Sequence, residues 1–307
     1  PEQRTDKKPM LSDLRESGCL TEDTRVIRAD TGVEVTLGEL HRTEARDVPV
    51  WALDDSLRYG VHTLTHVVPT GHREAFRART ASGRELRATA NHPLLTHTGW
   101  TAVGDLVPGM TIGSVRHVPP PRDLRELDDD EIVLLAHLLG TGAVATDTDI
   151  EYRSASASNL SAVSEAARRR FAVAVGRADD RRHSVLHLSP PVNGGSDPIR
   201  EWRDRTLTRG SEAAVPTAVF SAPKSQVTIF LRHLWAAGGT ISRHPSGARG
   251  AVHFVTASRR LADDVARLLL RFGLAARIAT LPAADGHVFR VAIADPADQK
   301  VFLRRIG

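Results

Sequence analysis

One cysteine, Cys19, is all the thiol chemistry the chain holds in 307 residues. A single thiol excludes an internal disulfide and leaves no sign of an oxidising compartment. Lysine is almost as scarce: Lys7, Lys8, Lys224 and Lys300 stand among 41 basic side chains, the rest being arginine. That bias, with abundant alanine, reflects a GC-rich genome rather than a function. Long apolar runs are missing too. None approaches the ~20 residues of a membrane span, and the opening PEQRTDKKPM has no apolar signal-peptide core. A cytoplasmic chain with no membrane partner is the expectation.

What is present is ordinary in bulk. Hydrophobic residues make up 41% and charged residues 25%, as in soluble globular proteins, and 307 residues exceed a usual single core, so two domains are expected. From Pro119 onward there are 26 basic and 21 acidic residues, against 15 and 16 before it. That excess fits a phosphate-binding face and a solvated surface equally well.

Three textures follow one another. Residues 1–18 are polar and end in the amphipathic PMLSDLRESG. From Cys19 to about residue 118, runs such as TRVIRAD, VEVTLGEL, VPVWALDD and RYGVHTLTHVVPTG alternate with turn residues. This is the pattern of an all-β domain, with SGRE as a hairpin turn. The proline cluster HVPPPRD (His117–Asp123) marks a boundary, with a linker over 119–126.

Beyond the linker, residues 127–307 mix helices with strands. DLRELDDDEIVLLAHLLG, NLSAVSEAARRRFAVAVG and SRRLADDVARLLLRFG read as helices; SVLHLS, AVHFVTAS, AARIATL and HVFRVAIAD read as strands. EIVLLAHLLGTGAV (Glu131–Val144) matches VTIFLRHLWAAGGTI (Val227–Ile241), and each is followed by strand, helix and strand. The inference is a duplicated α+β unit, with copies at about 127–220 and 221–307.

Free cysteines are more often small buried apolar groups than nucleophiles. Cys19 sits, however, at a change of texture and directly after Gly18, whose carbonyl is the least hindered acyl group a neighbouring thiol could attack. A nucleophile needs a proton-transfer group and an oxyanion stabiliser. LRATANHPLLT supplies candidates in Thr89, Asn91 and His92, although on spacing alone a packed turn histidine is the favoured reading of His92.

CLTEDTRV resembles the opening block of an intein, the self-splicing Hint family. GRELRATANHPLLT resembles that family's Thr-x-x-His block, and GWTAVGDLVPGMTI the segment after it. The match covers Cys19 to about Ile112, in the right order and spacing. RTDKKPMLSDLRESG resembles the ATPase core of DnaB-type replicative helicases. The resemblance therefore implies a host fragment (N-extein) over 1–18, a mainly β Hint splicing domain over 19–118, and a splice junction at Gly18–Cys19. It implies that the Cys19 thiolate attacks the Gly18 carbonyl in an N-to-S acyl shift. His92 would protonate the leaving amide nitrogen, and Thr89 with Asn91 would hold the oxyanion. Splicing would need no cofactor.

Inteins end in His-Asn followed by a Cys, Ser or Thr, whereas this chain ends DQKVFLRRIG. The expectation is a fragment whose C-terminal intein segment is an additional partner beside the helicase exteins.

LLAHLLGTG and FLRHLWAAGG resemble the paired motifs of LAGLIDADG homing endonucleases over roughly 128–307. In that family each motif helix ends in Asp-Gly, and the two aspartates hold divalent metal over double-stranded DNA. Hard Mg²⁺ wants anionic oxygen ligands. Here those positions are Thr141 and Gly238, while Asp147, Asp149 and Glu131 lie too far along the chain to substitute. Loss of nuclease activity with retention of the fold is the expectation, Mg²⁺ entering only if cleavage survived. The alternative is a DNA-binding protein or site-specific nuclease whose function lies in this half. Ala136, Gly140, Ala236 and Gly239 are the small residues expected to bring the two helices together. His137 and His233 are expected to be buried interface groups rather than ligands. Arginines of EAARRRF and RADDRRH are expected mainly on solvated faces.

Overall fold

The computed structural model describes residues 18–141, 150–179, 183–189, 197–207, 212–242, 251–284 and 286–307. The amphipathic leader segment before Gly18, Asp147, Asp149, Arg181 and Arg182 lie outside the described residues. The chain divides between Val115 and Arg116 into two compact units.

The first unit is mainly β. β1 (Arg25–Ile27) pairs antiparallel with β2 (Glu34–Thr36) and leads into α1 (Leu37–Arg42). Three further antiparallel hairpins join β3 (Val48–Leu53) to β4 (Tyr59–Leu64), β5 (Phe76–Arg79) to β6 (Glu85–Ala88), and β7 (Pro93–Thr96) to β8 (Gly99–Ala102). The turn read at SGRE closes β5 on β6: the Gly83 N–H donates to the Thr80 carbonyl, and Gly83 takes φ +83°, where a Cβ would be strained. VEVTLGEL is not one strand. The Thr36 hydroxyl accepts from the Glu39 N–H at 3.0 Å and caps α1, ending the extended run. Val35, Leu40, Val48 and Val50 form a small core, with Val26, Leu37, Leu64 and Val67 packed against it.

The second unit is α+β. Its elements are α2 (Asp129–Thr141), β9 (Ile150–Ser154), α3 (Ala157–Phe171), β10 (Ala174–Asp179), β11 (Ser184–Ser189), α4 (Pro198–Thr206), α5 (Thr217–Ser221), α6 (Lys224–Gly238), β12 (Gly239–Ser242), β13 (Ala251–Thr256), α7 (Arg259–Leu270), β14 (Arg277–Ala283), β15 (Gly286–Ile293) and α8 (Pro296–Arg305). One antiparallel sheet has the order β10-β11-β9 and the other β12-β13-β15-β14. Asp128 caps α2 through its carboxylate, accepting from the Asp130 and Glu131 N–H groups. α3 stops at Ala172, which takes the left-handed φ of 52°, so AVAVG continues as a strand rather than as helix. α7 buries Leu261, Val265, Leu268 and Leu269 to within 1% of full coverage, each contributing about 1.5–3 kcal/mol relative to exposure.

α2 and α6, the two repeated helices, pack directly on each other. A Cβ on Gly140 would lie 2.6 Å from the Ala237 Cβ and 3.0 Å from the Leu234 carbonyl oxygen. One on Gly238 would run into the Gly140 carbonyl oxygen. The close approach thus uses Gly140, Ala237 and Gly238. Ala236 is exposed and Gly239 abuts the Trp235 ring, so neither plays the part expected of it. Arg169 pairs with Asp130 and Arg170 with Glu131, tying α3 to the start of α2 through ion pairs on the surface.

Beneath this contact runs a polar chain that is fully buried at Tyr152 and His137 and only half-buried at His233. Tyr152 Oη lies 2.8 Å from His137 Nδ1, and His137 Nε2 lies 3.0 Å from His233 Nδ1. With both imidazoles neutral, each of these two contacts can set one donor against one acceptor, the direction following from the tautomers. Burial, with His233 alongside, pushes His137 down to about 4; burial and Arg232 lower His233 as well. A histidine whose folded value lies below its unfolded value of 6.5 contributes stability that is complete above pH 6.5. It is lost as pH falls toward 4. His137 is fully covered, so the loss approaches about 3 kcal/mol at pH 4, each pH unit between the unfolded and folded values being worth about 1.4 kcal/mol. Chemical denaturation at pH 7 and pH 4.5 is expected to show most of that difference, and His137→Gln a smaller one from a lower starting stability. An unchanged pH dependence in the variant would remove His137 as the cause.

Candidate active site at the Gly18–Cys19 junction

Cys19 enters the first unit as an added rung beside β6. Leu20 bridges Ala88, the Thr21 N–H donates to the Arg87 carbonyl at 3.2 Å, and the Thr89 N–H donates to the Cys19 carbonyl at 3.0 Å. This backbone pairing joins residues about 70 positions apart and fixes Cys19 against the Thr89–His92 turn. That turn is itself closed by the His92 N–H on the Thr89 carbonyl, 3.0 Å. It is clamped from outside by a short 3₁₀ segment, Val103–Asp105: the Val103 N–H donates to the His92 carbonyl and the Gly104 N–H to the Ala90 carbonyl. A Cβ on Gly104 would stand 3.1 Å from that of Ala90, so glycine permits this clamp.

All five expected residues meet here. The Cys19 N–H, the amide nitrogen of the junction, donates to Thr89 Oγ1 at 2.8 Å. The Thr89 hydroxyl donates in turn to Asn91 Oδ1 at 2.7 Å. Gly18 lies against the backbone of His92 so closely that a Cβ there would overlap His92 Cα. His92 Nδ1 is buried and has no hydrogen-bond partner among the described residues. Cys19 is half-buried. Thr89 therefore faces the nitrogen side of the junction peptide, where its hydroxyl bridges the amide N–H to Asn91.

Thr70 is a member of the cluster that sequence reasoning did not single out. Its hydroxyl donates to Cys19 Sγ at 3.3 Å. Thr70 sits in PTGHRE, a segment without a motif, and the only local signal is a Pro-Thr-Gly turn.

At the repeated helices, the Thr141 hydroxyl donates to the His137 carbonyl at 3.0 Å, and Gly238 offers no side chain. No group of three or more His, Cys, Asp or Glu among the described residues is placed to hold a metal ion. One engaged hydroxyl and one glycine do not make a donor set for a hard divalent cation. Among the described residues, no helix is long and apolar enough to cross a membrane.

Residues 225–307 match the family model of the LAGLIDADG-like domain. The matched residues lie within the second unit. This match is the C-terminal part of a longer similarity, because 98% of the chain aligns at 36% identity with the replicative DNA helicase DnaB of Rhodothermus marinus. The chain spans about a third of the length of the DnaB helicases it matches. Among solved structures, the Ssp DnaB mini-intein variant M86 is 30% identical over 34% of this chain and 64% of its own, with a TM-score of 0.32. I-DmoI in complex with DNA and Mn is 14% identical over 58% of this chain and 96% of its own, with a TM-score of 0.43. The similarity to DnaB helicases and, over residues 225–307, to the LAGLIDADG-like domain agrees with the resemblances read from the sequence.

Proposed function

We propose that the chain is a self-splicing element whose first unit begins splicing at Gly18–Cys19, and whose LAGLIDADG-like unit no longer cuts DNA. The observation that carries the first part is the convergence of Gly18, Cys19, Thr89, Asn91 and His92 on one peptide bond. The Cys19 sulfur attacks the Gly18 carbonyl carbon, the C–N bond breaks, and the thiol proton ends on the freed Cys19 amine. The product is a thioester. An amide nitrogen leaves only when protonated, and two groups flank this one. Thr89 Oγ1 already holds its N–H and relays to Asn91. His92, with an unpartnered Nδ1 and its backbone against Gly18, is the proton donor in this reading. A thioester is less stable than the amide it replaces, so the equilibrium lies toward the peptide until another nucleophile intercepts it.

That gives the test. The full chain incubated with dithiothreitol is expected to release residues 1–18 as a thiol adduct, read by mass spectrometry, leaving a chain that begins at Cys19. An intact junction after prolonged incubation would overturn the reading. The loss of nuclease activity is supported by Thr141 and Gly238 standing at the two family aspartate positions. Specific cleavage of a plasmid in Mg²⁺ would favour the alternative, a DNA-cutting protein. The helicase exteins are the proposed hosts, and double-stranded DNA remains the proposed ligand only of a binding function in the second unit.

A further inference from the structure

We propose that the Thr70 hydroxyl is a catalytic donor to the Cys19 sulfur in the acyl shift, a role that rests on the splicing chemistry proposed above. Its placement is built by the chain on either side. Val67 packs against the core of Val35, Leu40, Val48 and Val50, anchoring the segment three residues before Thr70. Pro69 then fixes its own φ, and Gly71 follows with φ +82°, a left-handed turn with open space around it. Between a locked residue and a turning one, the Thr70 side chain is held with Oγ1 3.3 Å from Sγ. Thr70 approaches the junction from a different segment than Thr89, Asn91 and His92 do. Those three lie in one turn on the nitrogen side of the scissile bond; Thr70 touches the nucleophile itself.

The chemistry asks for a donor there. Thiolate is the attacking species, and an O–H donated to it stabilises the charged form and fixes the direction of the attacking lone pair. The same contact acts again when an external thiol intercepts the thioester. The bond from Gly18 carbon to Cys19 sulfur breaks, the sulfur leaves as thiolate, and the Thr70 hydroxyl receives it. Both steps seen in a thiol-release experiment therefore pass through this hydrogen bond. Hydrogen bonds to charged groups are worth enough for a loss of roughly 10- to 100-fold in rate.

The experiment compares leader release by dithiothreitol in the full chain carrying Thr70, Thr70→Val and Thr70→Ser. Valine keeps the shape and removes the donor; serine keeps the donor. We expect valine to slow release by about 10- to 100-fold and serine to stay within about threefold of the parent. Thr70→Ala, which removes the hydroxyl without leaving a branched apolar group beside Sγ, gives the same reading if valine lowers the melting temperature. Equal rates for Thr70 and Thr70→Val would overturn the inference while leaving the acyl shift intact. Equal slowing by valine and serine would also overturn it, showing that packing of the methyl group matters rather than the hydroxyl. A parent chain that releases nothing would instead bring down the splicing reading, and this inference with it.

Discussion

Alanine at Cys19 is expected to abolish thiol-induced release of the eighteen-residue leader, with no residual rate above that of the uncatalysed peptide bond. The reason lies in what the junction contains. Thr89, Asn91 and His92 lie beside the nitrogen and the backbone around Gly18. None of them can supply an electron pair to the carbonyl carbon in the position of Sγ. Without the sulfur no thioester forms, and dithiothreitol has only an amide to attack. Serine is the sharper comparison. Its hydroxyl fits the same half-buried site but is a much weaker nucleophile near neutral pH, so release falls by at least about 100-fold while the fold is kept. Because the backbone of residue 19 is held by the Leu20–Ala88 bridge and by two hydrogen bonds to Thr89, neither substitution is expected to move the melting temperature by more than a degree or two. Mass spectrometry of the chain after thiol treatment reads the outcome. Release from the alanine variant at the parental rate would show that the cleavage is not an acyl shift at this residue.

Much of the candidate site was legible through its motifs. A lone thiol directly after a glycine offers a nucleophile, but residue type and spacing alone leave the Thr-Ala-Asn-His turn a packed histidine turn; the resemblance of CLTEDTRV and GRELRATANHPLLT to the intein blocks is what singles these residues out. Thr70 was not legible. Its role depends on a contact across 51 residues, and nothing in PTGHRE distinguishes it from the chain's other turns. Elements with strong termini were equally readable. α2 has acidic residues at its start and an unbroken apolar face; α7 has Ser258 as its cap and buried leucines along its length.

The misses have particular causes. Thr36 serves both as the last residue of β2 and as the cap of α1, so alternation conceals the change of element. Ala172 ends α3 in a conformation that alanine rarely adopts, where a glycine would have signalled the stop. α4 and α8 were missed although both open with Asp followed by Pro, the N-cap and first-position pair at Asp197–Pro198 and Asp295–Pro296. The small residues between the motif helices were identified as a class but not one by one. Whether Ala236 or Ala237 faces the partner helix is a matter of 100° of helix rotation, which a pattern with alanines at both positions does not resolve.

That rotation also decides whether the family's carboxylates could be restored. Gly238→Asp is expected to destabilise the second unit by about 3–5 kcal/mol, whereas Thr141→Asp costs under about 1 kcal/mol. The two positions correspond in the repeat but not in their surroundings. Thr141 is exposed at the end of α2, so an aspartate there loses one hydroxyl hydrogen bond and meets the unfavourable end of the helix dipole. Gly238 has no such room. A Cβ would run into the Gly140 carbonyl oxygen, come within 3.0 Å of its carbon and 3.1 Å of Phe254 Cε2. Two of these atoms are backbone and cannot rotate away. α2 and α6 would have to separate, loosening the packing around Leu134, Leu138, Leu231 and Leu234, all within 6% of full burial. The carboxylate would also point at a carbonyl oxygen, adding repulsion between like partial charges. Thermal melts read the difference: a fall of about 10 °C or more for Gly238→Asp against a few degrees for Thr141→Asp, on a scale of about 2–4 °C per kcal/mol at this domain size. The double variant should cleave no plasmid in Mg²⁺, because a carboxylate is tolerated at only one of the two positions. A stable Gly238→Asp variant would mean that the helices can part cheaply. The close helix contact would then not be what keeps a carboxylate from this position.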